Sequence, residues 1–129
     1  MIEIPISIGE LIDKLSILQV KKNKIQNKTK LDLVDKEYKM LYNLSKEYLT
    51  SNEINDLYNG LIDQNSKLWE IEDKLRVLET ESRFEGEFID LARKVYFTND
   101  DRFDLKNKIN SILSSEIKEV KEYVDYKNK

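Results

Sequence analysis

Of the 22 basic residues in this chain only four are arginine, and Arg76, Arg83, Arg93 and Arg102 all fall within 76–102, just after the single tryptophan, Trp69. Where lysine is the default cation, an arginine marks a place that uses a planar fork of donors rather than bare charge. On a helix, Trp69, Arg76 and Arg83 stand seven apart on one line beside Asp73, and Arg93 stands three before Tyr96. With the turn Asn99-Asp100-Asp101-Arg102, these side chains could build an anion pocket for a phosphorylated or carboxylated metabolite, a nucleotide sugar among them. Arg76, Arg93 and Arg102 would hold the anion, Trp69 and Tyr96 would stack, and Asn99 would add a hydrogen bond. A plainer reading makes Glu72–Arg76 and Glu79–Arg83 ordinary i,i+4 ion pairs worth about 0.2–0.5 kcal/mol each. In that reading Asn99 caps a helix and Asp100 and Asp101 suit its positive end, while Arg102 opposes the dipole unless a carboxylate holds it.

Carboxylates offer a second chemistry. Glu10 with Asp13, and Glu70 with Asp73, each share a helix face, the spacing by which all-helical Mg²⁺-dependent nucleotide pyrophosphatases hold their metals. With 25 acidic residues, pairs three apart also arise by chance. The chain has no cysteine and no histidine, which excludes disulfides, thiol nucleophiles, zinc sites with Cys or His ligands and triads containing His. The reading therefore leans away from an enzyme and carries no cofactor, with Mg²⁺ on those four carboxylates as the alternative.

Charged residues make up 36% of the 129 and the net charge is −3, so a solvated surface is expected. A pI near 5.2 argues against general nucleic-acid binding, which favours basic domains. Met1–Ser7 carries Glu3 and Pro5 and lacks the basic and apolar parts of a signal peptide, and no apolar run is long enough for a membrane span, so a cytoplasmic protein is expected.

The elements that must position these groups are helical. Ile2, Ile4 and Ile6 alternate around Glu3 and Pro5 as a short extended segment. Ser7 and Glu10 form a capping box ahead of a helix over about 8–26, and a second helix spans about 30–49. From a cap at Thr50-Ser51-Asn52, Ile54, Leu57, Leu61, Gln64, Leu68, Ile71, Leu75 and Leu78 make a heptad helix over about 52–82. At 1.5 Å per residue it would run about 46 Å, against about 36 Å for a compact globule of this size. Either the bundle is elongated or a partner covers the overhang. A second capping box, Ser82 with Glu85, opens a fourth helix with Phe84, Phe88, Leu91 and Val95 inward. Thr98 and Asn99 end it and cap a fifth from Asp100, carrying Leu105, Ile109, Leu113, Ile117, Val120 and Val124. The expectation is all-α: one helical domain over 1–129, an elongated antiparallel bundle of four to five helices with a short extended N-terminal segment.

Three runs carry a resemblance: Ile4-Pro5-Ile6-Ser7-Ile8-Gly9-Glu10-Leu11-Ile12-Asp13-Lys14-Leu15, Leu68-Trp69-Glu70-Ile71-Glu72-Asp73, and Leu91-Ala92-Arg93-Lys94-Val95-Tyr96 with Asn99, Asp100 and Arg102. The chain resembles a family of small uncharacterised helical proteins of marine bacteria, cyanobacteria and their phages, whose genes lie near those for surface polysaccharides and glycosyltransferases. The resemblance implies no activity. It marks Glu10, Asp13, Lys14, Trp69, Glu72, Asp73, Arg93, Tyr96, Asn99, Asp100 and Arg102 as motif positions. The leading expectation is a non-enzymatic helical interaction and oligomerisation module, a homodimer through coiled-coil-like faces of the first three helices, with the Ile2, Ile4 and Ile6 segment able to pair across a two-fold axis. The partners then left open are another protein or an anionic small molecule.

Overall fold

Short polar side chains start three helices: Ser7 Oγ accepts the Glu10 N–H at 3.0 Å, Asn27 Oδ1 that of Lys30 at 3.0 Å, and Ser51 Oγ that of Ile54 at 3.2 Å. They open α1 (Ile8–Lys24), α2 (Lys28–Ser45) and α3 (Asn52–Thr80), and α4 (Gly86–Ile112) begins at Glu85 with no side-chain cap. The computed structural model describes residues 1–127, and among them the four helices occur with no strand, an all-α bundle. No helix among the described residues is long and apolar enough to cross a membrane.

α1 packs against each of the other three helices, α2 only against α1, and α3 against α1 and α4. One core cluster, Ile12, Ile54, Leu61 and Ile109, joins α1, α3 and α4. Ile71, Leu78 and Leu91, with Leu75, Phe88 and Val95, form a second cluster drawn from α3 and α4 alone. α1 ends at Lys24, whose ammonium reaches Glu70 of α3 at 2.6 Å, and beyond that point the α3–α4 hairpin continues as a two-helix arm. The length anticipated for the third helix is thus real and continuous.

Three expectations fail. The fourth helix, expected to end at Thr98 and Asn99, and the fifth, expected from Asp100, are one helix, because Thr98 and Asn99 lie within α4 rather than at a cap. Thr98 is buried, and Asn99 spends its Oδ1 on Arg102. Arg102 therefore sits in mid-helix, not in a first turn. The expected capping box at Ser82 and Glu85 is instead the end of α3, where Ser82 takes a left-handed φ of 54° and the Arg83 N–H returns to the Leu78 carbonyl at 2.9 Å. The helix expected to run past 113 stops in the same way: Ser114 has φ 53° and the Ser115 N–H bonds the Asn110 carbonyl at 2.8 Å. The chain from 115 to 127 leaves the helix, so Val120 and Val124, expected inside, are exposed.

Serine in the left-handed region is held against a cost of roughly 1–2 kcal/mol that glycine escapes, less the backbone entropy glycine loses on folding. Ser82→Gly should therefore raise stability by about 0.5–1 kcal/mol in urea unfolding. A loss of stability would mean that the serine side chain contributes more than the turn geometry shows.

Candidate functional site

The N-terminus of α1 lies against the C-terminal half of α4, and their polar residues meet there. Gly9 donates its N–H to Asn110 Oδ1 at 2.7 Å, an approach only glycine allows, since a Cβ would lie 2.4 Å from the Lys106 carbonyl oxygen. One helical turn on, the Asp13 side chain is 2% exposed, and its Oδ2 accepts from Arg102 Nη2 at 2.6 Å. Its Oδ1 accepts from Asn65 Nδ2 of α3 at 3.0 Å, and the same Nδ2 reaches Ser16 Oγ at 2.8 Å. Lys106, one turn beyond Arg102 on the same face of α4, lies 3.1 Å from Glu10, 3.9 Å from Asp13 and 2.6 Å from Glu119. Two cations of α4 thus meet two carboxylates of α1 and one of the C-terminal segment. Breaking such a buried cluster is expensive, because whichever partner remains is left desolvated and unpaired.

Burial pulls the Lys106 ammonium down, but Glu119, Asp13 and Glu10 outweigh it, and its pKa stands above the ordinary lysine value. A group with a raised folded-state pKa contributes its full stability below its unfolded value, about 10.4 for lysine, and loses it as pH rises through the folded value. Stability should fall more steeply above about pH 10.4 than in a Lys106→Met variant. Parallel alkaline limbs in urea midpoints would sink that assignment.

The C-terminal segment crosses the same face of α4. Besides Glu119 on Lys106, Lys121 lies 3.6 Å from Asp100 and over the Phe103 ring, and the Tyr126 hydroxyl donates to Asp100 while its ring meets Tyr96 and Phe97. That hydrogen bond first, then desolvation, pushes Tyr126 up to about 12. Between the segment and α4 is a cleft of about 1020 Å³ that Tyr96, Asn99, Asp100 and Arg102 line together. A separate groove of about 380 Å³ between α1 and α3 takes Trp69, Asp73 and Arg76. Of the eight residues expected to form one pocket, seven are divided between two openings, and Arg93 lines neither, its guanidinium standing over the Phe97 ring.

Each arginine has its own neighbour. Arg76 donates to the Glu72 carboxylate at 2.6 Å, Arg83 lies near Glu81 and Glu87 rather than Glu79, and Arg102 is taken up by Asp13 and Asn99. The carboxylates of the alternative Mg²⁺ set are occupied in part: Glu10 by Lys14 and Lys106, Asp13 by Arg102, Glu70 by Lys24. No group of three or more acidic side chains among the described residues is placed to hold a metal.

Sequence reasoning did not single out Asn65, Lys106, Asn110 or Glu119. Lys106 was within reach, since it follows Arg102 by four residues and shares its face once α4 is read as unbroken. Asn65 lies beside Gln64 of the leucine stripe, and nothing in the periodicity distinguishes the buried amide from its neighbour.

No curated protein and no solved structure matches the chain. The model of DUF6165, a family of unknown function, matches residues 2–127, and the chain belongs to that family.

Proposed function

We propose that this chain is a non-enzymatic interaction module that assembles with a second copy of itself through the α3–α4 arm. The observation that carries the reading is the arm's core: Ile71, Leu78 and Leu91 form a cluster whose apolar members come from α3 and α4 alone, while Val77, Phe84 and Ile89 on the same arm remain 51%, 48% and 53% exposed. Two helices packed only on each other leave most of their perimeter to solvent, whereas two such hairpins related by a two-fold axis enclose a common four-helix core. The pairing of Arg76 with Glu72 and of Arg102 with Asp13, each at 2.6 Å, supports the same reading, since a guanidinium held by a carboxylate has less to offer an anion.

Sedimentation equilibrium on the wild type and on a Val77→Asp/Ile89→Asp double variant tests this. The wild type should dimerise and the variant should dissociate at least about tenfold more readily, the weight of about 1.4 kcal/mol at an interface. Both side chains are exposed, so helical circular dichroism should not change. A wild type that stays monomeric, or a dimer indifferent to both aspartates, removes the arm from the account.

A further inference from the structure

The groove between α1 and α3 lies apart from the arm's second cluster, and its chemistry is one-sided. Val20 and Leu68 give it apolar walls, and Trp69 lines it. Asn65 lines it too, 7% exposed, with Nδ2 committed to Asp13 and Ser16. The carboxylate at Asp13 fixes which end of the amide is the nitrogen, so the oxygen is the free end, and no donor among the described residues meets it. Asp73 at the rim forms no ion pair among the described residues, and the one cation in the lining, Arg76, is held by the Glu72 carboxylate at 2.6 Å and the Glu72 carbonyl at 3.0 Å. What the groove offers a ligand is therefore an amide acceptor, a carboxylate and an indole, the aromatic ring that attracts cations best. Glu72, Asp73 and Arg76 together leave the lining one unit negative.

We infer that this groove binds an organic cation, an ammonium or guanidinium group on a short apolar stem. The stem lies along Val20 and Leu68, the head meets Trp69 and Asp73, and one N–H is donated to Asn65 Oδ1. A groove of about 380 Å³ suits a ligand of this size. The sequence pointed to an anion at Trp69 and Arg76; the opposite sign follows from Arg76 being spent on its own helix.

Trp69 is the single tryptophan, so its fluorescence reports the groove directly. The probe is butylguanidinium, with butylurea as its uncharged counterpart of the same shape. The wild type should give a saturable change with butylguanidinium and none with butylurea. Asp73→Asn should weaken binding about fivefold, and Arg76→Gln, which removes the competing cation and frees Glu72, should tighten it by a similar factor. Both side chains are exposed, and unchanged circular dichroism would confirm that the variants fold. A glycine-flanked arginine peptide alongside the free cation separates a metabolite from a basic side chain as the source. The inference is overturned if butylguanidinium gives no saturable change, if butylurea gives the same one, or if Arg76→Gln weakens binding.

Discussion

Arg102→Met should cost about 3–5 kcal/mol of folding stability, the range found when one partner of a buried pair is removed. Asp13 would remain among Ile12, Asn65 and Ser16 with Lys106 at 3.9 Å as its nearest cation. Set against a total of about 5–15 kcal/mol for a folded domain, that loss would lower the urea midpoint severely. The cause can be isolated by repeating the substitution in an Asp13→Asn background. The neutral amide still accepts from Asn65 and needs no cation, so the second loss should be much smaller than the first, a coupling that a double-mutant cycle reads directly. Additive losses would show that Arg102 matters for its packing and not for its charge.

The second large effect concerns space. Gly9→Ala places a methyl 2.4 Å from the Lys106 carbonyl oxygen and 2.8 Å from Asn110 Oδ1, and the nearer of these belongs to the backbone of α4. The helices must move apart, which stretches the 2.7 Å hydrogen bond from the Gly9 N–H to Asn110, a side chain fully buried. Overpacking and the lost bond together predict about 2–4 kcal/mol of destabilisation. Gly86→Ala is the internal control, because nothing lies within 4 Å of the added carbon, and it should be neutral or slightly stabilising. Equal effects at the two positions would remove the close approach from the explanation.

These two positions show how much the sequence disclosed. Leu11, Leu15 and Leu18 at helical spacing located the inner face of α1, and the Ser7 capping box and the run Thr50-Ser51-Asn52 marked where α1 and α3 start. Short-range signals of this kind depend only on neighbours in the chain. The polar segment at Thr98-Asn99-Asp100 misled for the same reason: read locally it is a good cap, but packing of Leu91, Lys106 and Ile109 along one continuous face overrides it. Ser82 gave the opposite error, since serine at a left-handed helix end looks like a helix start when the backbone angle is not known, and the same left-handed turn at Ser114 ends a helix that periodicity carried on to Val124. The site was legible as a set of residues and not as an arrangement. Trp69, Asp73 and Arg76 do share one opening, and Tyr96, Asn99, Asp100 and Arg102 another, yet which helix faces meet follows from contacts between helices, such as Asp13 with Asn65 and Arg102, that no spacing rule reveals.

The contacts that close the bundle join residues about a hundred positions apart: Gly9 to Asn110, Asp13 to Arg102, Ile8 to Ser115. Loops of that length close slowly, and the ordering cost falls before the contacts that repay it form. During synthesis, a ribosome that has released α1, α2 and most of α3 has exposed Asp13 but not its cation. Until Arg102 emerges, Asp13, the most buried carboxylate among the described residues, has no cation, and α1 can pack on α2 and α3 but cannot close against α4.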